Sequence, residues 1–491
     1  MATWSGGYVA DSTYAVAWQA APTPAHLALV CAMAGVVWEP RKRMHVADLG
    51  CGRGYTANCL AASNPEWTVL GIDHSPVHIA EAMQTAGRAG LGNALFVEAD
   101  LATMTDAELD RIPPLDVVML HGVWTWVSDA VRAGIVRLLA RRLKPGGIAY
   151  IGYNALPGAG ADHGLQRLLR QLAGPVSEAP GAAAAAAGTA MERLRAIAPA
   201  LKLPETAMLR RLLADPPILE PAFVAHEFLT EHWRPVFHGD LCAALEPAKL
   251  EFVGSSNLFE ALAALVLDST QLSILQGLPS GAPQEFLKDL CLPRAFRADV
   301  FVRGRRSTES SRALDRVMLA PSTPLPAESP ILHVGTGKAA LPQPIWESVA
   351  AVLNEAPHSI GDLRERIGEG APHQAEILAL LVGTDHALPV YRPPERAAAA
   401  TRFNQVAAAL HAPGGEGRGH FALASPVAAG GVPASALDLA LVAALLAGAE
   451  PEALAHRLQP ALRGEALGAA TARIAERLEE RVPVWRRFAI L

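Results

Sequence analysis

Over its first third the chain sets short apolar runs between stretches of helical periodicity. His45–Leu49, 68–72, Ala94–Glu98, Leu115–Leu120 and 148–153 read as strands, and 22–38, 77–89 and 131–143 as helices. Strands alternating with helices predict a parallel sheet covered on both faces, a doubly wound, Rossmann-like α/β unit spanning 40–155. Two later runs, KLEFVG (249–254) and ADVFVR (298–303), read as strands that join the edge of that sheet. They extend the unit to 1–305, with helical insertions at 156–248 and 259–292.

The pattern then changes. The low-complexity segment GPVSEAPGAAAAAAGTA (174–190) reads as a surface loop, and the Ser, Pro and Gly content of 306–340 as a linker. Three helical stretches and ALPVYR within 341–400 have the order of a winged helix. With four basic and eight acidic residues over 341–396, that unit is not expected to bind DNA. Residues 401–491 read as Ala- and Leu-rich helix suited to packing or dimerisation.

Composition narrows the function. A chain of 491 residues exceeds one ordinary core, so two or three domains are expected. A net charge of −6 gives no reason to expect nucleic acid or an anionic membrane as partner. Five scattered cysteines without a C-x-x-C pair, and an N-terminus without a basic and then apolar stretch, point to the cytoplasm. His226, His232 and His238 match no usual zinc spacing, so no metal is expected.

The chemistry-bearing stretch is Val46-Ala-Asp-Leu-Gly-Cys-Gly-Arg-Gly54, between a strand and a helix. Glycines at 50, 52 and 54 permit a sharp turn and let backbone N–H groups approach a ligand. Asp73, at the tip of the next strand, suits a grip on ribose hydroxyls.

This stretch resembles motif I of class I methyltransferases, D-x-G-x-G-x-G, as Asp48, Gly50, Gly52 and Gly54. The resemblance continues through Glu98-Ala-Asp-Leu101, LDVVMLHGVWTWV and LKPGGIAYIGYN. It implies S-adenosylmethionine as cofactor, held by Asp48, Gly50, Cys51, Gly52, Gly54, Asp73, His74, Asp100, Leu101, His121 and Gly122. Within it, the glycine turn faces the cofactor's amino-acid part and Asp100 its adenine. HGVWTWV, YNALPG, HEFLTEHWRPVFHGDL, AKLEFVGSSNL and FRADVFVRG are similar to proteins with a methyltransferase regulatory domain, a branch that includes rickettsial protein lysine methyltransferases. That similarity implies a protein-lysine substrate and a homodimer.

Methyl transfer from a sulfonium is an in-line displacement that needs alignment, desolvation and electrostatics more than a dedicated base. Lysine must first lose a proton, and a nearby carboxylate, hydroxyl or carbonyl assists that loss. His121, Trp124 and Tyr153 are the candidates for the transfer itself, and Tyr8, Tyr14, Trp126 and Asn154 for the substrate mouth. Core packing explains one of the tryptophans equally well, and a structural role is open for His121. The alternatives are a small-molecule or natural-product methyltransferase and a non-catalytic, cofactor-binding regulatory protein.

Overall fold

The computed structural model describes residues 7–9, 16–177, 179, 181–292, 294–334, 337–412, 420–458 and 464–491. Seven strands form one sheet: β1 (His45–Leu49), β2 (Thr68–Asp73), β3 (Ala94–Glu98), β4 (Leu115–Leu120), β5 (Leu143–Asn154), β6 (Leu250–Ser255) and β7 (Phe296–Arg303), in the order β3-β2-β1-β4-β5-β7-β6. The first five run parallel, β7 lies antiparallel to β5, and β6 antiparallel to β7. The two late apolar runs thus complete the edge, as expected. Consecutive side chains of a strand face opposite sides. In β5 this sends Tyr150 to the core beneath α1 (Pro24–Met33), α2 (Tyr55–Ser63) and α3 (Pro76–Ala89). Ile151 and Tyr153 go to the core on the other face, shared with α4 (Asp106–Arg111) and α5 (Asp129–Arg142).

Local chemistry fixes the helix starts that matter. Ser75 caps α3 by accepting the His78 N–H at 3.4 Å, Pro76 fills its first turn, and Gly90 closes it at φ +63°. In α2, all nine residues are buried. Its second side is covered by the C-terminal part of the chain, where Tyr55 donates its hydroxyl to Ala422 O at 2.7 Å and Ser63 donates to Gly430 O at 2.7 Å.

Three expectations change. The second half of the low-complexity run is helix: Ala182–Ile197 buries Ala183, Ala187 and Ala190 against the helix Pro221–Phe228, because alanine has high helix propensity and a side chain small enough for close packing. The stretch 306–340 is not a bare connection, since it holds the helix Ser310–Asp315 and the strand Met318–Pro321. That strand pairs antiparallel with His358–Ser359 and Ala387–Pro389, beside the helices Gln343–Glu355, Ile360–Ile367 and Gln374–Gly383. Within the C-terminal helices lies a hairpin, Phe421–Ser425 with Gly430–Ala434, whose buried face meets α2. No helix among the described residues is long and apolar enough to cross a membrane.

Candidate active site

The three glycines of the turn after β1 all have positive φ, at +72°, +52° and +71°, a region that side chains disfavour. Their surroundings differ. A Cβ on Gly50 would lie 2.4 Å from Val123 Cγ2, and one on Gly54 would lie 2.5 Å from Ala82 Cβ, so both are packed against the protein. A Cβ on Gly52 would meet nothing within 4 Å: this glycine faces open space, as a backbone cradle for a ligand must.

Asp73 closes the cradle. Its Oδ2 accepts the Gly52 N–H at 2.9 Å, and its Oδ1 accepts the Ser75 N–H at 2.9 Å with the rings of His78 and His74 at 3.4 and 3.5 Å. Burial pushes its carboxyl up, but those hydrogen bonds outweigh it and hold the group well below the usual carboxylate range. Asp48, equally buried and facing that negative charge, is pushed up to about 7, first by burial and then by Asp73. Cys51 stays a thiol, raised by burial and by both carboxylates. Asp100 is exposed after β3, with Oδ1 accepting the Ala102 N–H at 2.9 Å, and Leu101 beside it is buried.

The carboxyl ends of β4 and β5 form the adjoining wall. His121 bonds through Nδ1 to the Tyr150 hydroxyl at 2.8 Å, and its ring lies 5.5 Å from that of Phe296. Burial lowers His121 to about 4, so it is a neutral imidazole at ordinary pH. Gly122, at φ +64°, leaves room beside the Trp126 ring. Asn154 lies on the same face of β5 as Tyr150, paired across the sheet with Phe296, and its buried Oδ1 has no hydrogen-bond partner.

The two tryptophans part company. Trp126 packs with Trp233, Ala159 and Tyr8, while Trp124 belongs to the core beneath α5, under the Arg132 guanidinium and with its carbonyl taken by Arg132 Nε at 2.8 Å. Trp124 also lines a cavity of about 870 Å³ with Arg132, Arg234, Phe237 and Leu241. Tyr8 reaches the crevice: its ring lies 5.4 Å from His74, and its strand of chain is pinned where Glu231 N–H donates to Gly7 O at 3.0 Å. Tyr14 lies outside the described residues.

Tyr153 is not at this wall. It is fully buried on the opposite face of β5, donating its hydroxyl to Asp299 Oδ2 at 2.7 Å, so the strand's alternation removes it from the reacting atoms. Trp233, Phe296 and His78 are the neighbours that the motif reading did not single out. The first two lie inside the quoted HEFLTEHWRP and FRADV segments, and His78 one turn into a helix whose buried face periodicity alone could show.

Many of these positions fall within segments that match known families. Residues 46–147 match the methyltransferase domain family and 220–303 a predicted methyltransferase regulatory domain. An uncharacterized protein of Synechocystis sp. is 28% identical over 406 residues, covering 78% of this chain and 77% of its own length. A trans-aconitate 2-methyltransferase of Methylobacterium nodulans is 36% identical over 142 residues, 29% of this chain and 49% of that protein. The structure of PKMT2 from Rickettsia typhi in complex with AdoHcy superposes with a TM-score of 0.70 at 16% identity, covering 97% of this chain and 99% of that one. At that identity the match speaks to the fold.

Proposed function

We propose that this chain, a class I methyltransferase dependent on S-adenosylmethionine, transfers methyl groups to lysine side chains of a protein acceptor. The observation that carries the acceptor is the extent of the likeness. PKMT2 shares the whole architecture, insertions and C-terminal units included, whereas the trans-aconitate 2-methyltransferase matches 29% of the chain. A small acceptor needs no more than a lid, and the additional units suit a macromolecule.

S-adenosylmethionine supplies an activated methyl group on a positively charged sulfur. In our reading Gly52 and its neighbours cradle its amino-acid part, the ionised Asp73 accepts ribose hydroxyls, and Asp100 and Leu101 meet the adenine. The fit rests on the open cradle at Gly52 and on a carboxylate kept ionised beside it. Neutral His121 adds no positive charge near a sulfonium. Trp126, Trp233 and Tyr8 present ring faces that suit a cationic or methylated amine, and the free Oδ1 of Asn154 is an acceptor for an amine N–H. Five free cysteines fit the reducing cytoplasm, and a homodimer follows the same resemblance.

The test is transfer of labelled methyl from S-adenosylmethionine into a cell extract, followed by alkaline treatment and amino-acid analysis of the protein. Base-stable label in methyl-lysine is expected. Base-labile label in extractable carboxylic acids would assign the chain to the small-molecule reading, which the identity to trans-aconitate 2-methyltransferase favours.

A further inference from the structure

Away from the cofactor crevice, α6 (His238–Leu245) packs against β6, β7 and the helix Ala282–Cys291. His238 and Cys242 stand one turn apart on it, on a shared face. Cys242 Sγ lies 3.3 Å from His238 Nε2, and His238 Nδ1 lies 2.9 Å from Asp299 Oδ2. Asp299 and His238 are buried, and Cys242 is half-buried, so the sulfur is the end of the chain of groups that solvent reaches. This is a thiol, an imidazole and a carboxylate in hydrogen-bonded series, the first two on α6 and the third on β7.

The charges around them explain why the imidazole holds a proton. Asp299 meets Arg297 Nε at 2.9 Å; Arg297 also meets Asp289 and Glu285, each at 2.8 Å; Arg294 meets Asp289 at 2.6 Å and also Glu260; Lys288 meets Glu285 at 2.7 Å. Asp299, Asp289, Glu285 and Glu260 are thus faced by Arg297, Arg294 and Lys288, one positive charge short of balance among the described residues. An imidazolium at His238 supplies it. Burial and Arg297 work against that charge, Asp299 and Cys242 for it, and the outcome is a His238 raised to about 9. The remaining groups packed on it are the Tyr153 hydroxyl and the Phe252 ring, 4.6 Å away. Asp240, on the same helix, is exposed.

We infer that Cys242 is a modification site: its sulfur, hydrogen-bonded to the His238 ring that Asp299 orients, reacts as thiolate with hydrogen peroxide. The thiolate attacks one peroxide oxygen, an S–O bond forms as the O–O bond breaks, and sulfur loses two electrons to the peroxide. The departing hydroxide takes the proton from His238 Nε2 and leaves as water, so thiolate, proton and peroxide become sulfenic acid and one water. Cys51 and Cys291 are also half-buried, but burial raises both thiols, and nearby carboxylates raise them further. They are the internal controls.

The full-length protein is treated with limiting iodoacetamide between about pH 5.5 and 9, and each cysteine is followed by peptide mass spectrometry. Cys242 is expected to react at least about tenfold faster than Cys291 at pH 6.5. Dilute peroxide with dimedone should then mark Cys242 first. A Cys242 rate that does not exceed the rate of Cys291 overturns the inference. His238→Gln, where circular dichroism shows it folded, should slow Cys242 by about tenfold. Equal reactivity in that variant also overturns it, and if the variant does not fold the wild-type comparison with Cys291 decides.

Discussion

Asp73 and Asp299 are both buried, and both are held ionised against the pull of burial, yet the surrounding groups do this in opposite ways. Around Asp73 the partners are backbone N–H groups and two imidazoles, and the neighbouring Gly52 opens onto free space. Around Asp299 the partners are Arg297, His238 and the Tyr153 hydroxyl, packed in with no exposure. The first carboxylate stands at the edge of the open cradle, where its Oδ2 holds the Gly52 N–H. The second spends its capacity inside the protein, and its interactions join β5, β7 and α6. The same residue type at the same charge therefore borders an open cradle in one place and forms a brace in the other.

The contrast breaks most visibly at the brace. Asp299→Ala leaves Arg297 and His238 short of a buried anion and should cost about 3–5 kcal/mol in urea-induced unfolding, with cofactor affinity in the folded fraction little changed. Next, Gly54→Ala should destabilise the fold by about 2–3 kcal/mol, because the new methyl meets Ala82 and the backbone sits at φ +71°. Gly52→Ala, open to solvent, should cost less in stability and more in calorimetric affinity for S-adenosylmethionine; equal effects from the two would remove the distinction between packed and ligand-facing glycines. Asp73→Ala should weaken cofactor binding by about 1–3 kcal/mol while the melting temperature falls less than for Asp299→Ala.

The smallest effect is in pH. Asp73 and Asp299 are depressed, so their stabilisation is complete above about pH 4 and is lost as pH falls through their folded values. Asp48 is raised to about 7 and runs the other way: its neutral form favours the fold at low pH, and that contribution fades as pH rises from the unfolded value towards 7. A cationic cofactor prefers the ionised Asp48. Affinity for S-adenosylmethionine should therefore rise about tenfold from pH 6 to 8, with proton release detected by calorimetry in buffers of different ionisation heat. A flat profile would mean that Asp48 does not face the cofactor.

The edge around Asp73 was legible in the sequence because it is local: a strand, three glycines, a helix and the next strand tip lie within 30 residues, and each glycine has a backbone reason to be there. The brace around Asp299 was not, since Tyr153, His238, Glu285 and Asp299 are scattered and meet only when β7 inserts beside β5. Tyr153 was assigned to the transfer wall from its place at the end of β5, but strand alternation sends it to the other side. The hairpin at 421–434 escaped notice for a related reason. Its first strand carries no alternation because it is buried throughout, against α2 on one side and the C-terminal helices on the other.

That hairpin sets a schedule for the birth of the protein. The helix beginning at Tyr55 is finished by Ala422, Ala429 and Gly430, some 365 residues further along the chain. During synthesis the ribosome must therefore deliver most of the polypeptide before the helix behind the glycine cradle has its second wall, and closing so long a loop is slow. For much of its synthesis the nascent chain holds a signature turn with an uncovered apolar helix behind it. The support of the cradle is thereby tied to the making of residues 421–434: a chain that stops short of them carries the motif but lacks the second wall of its helix.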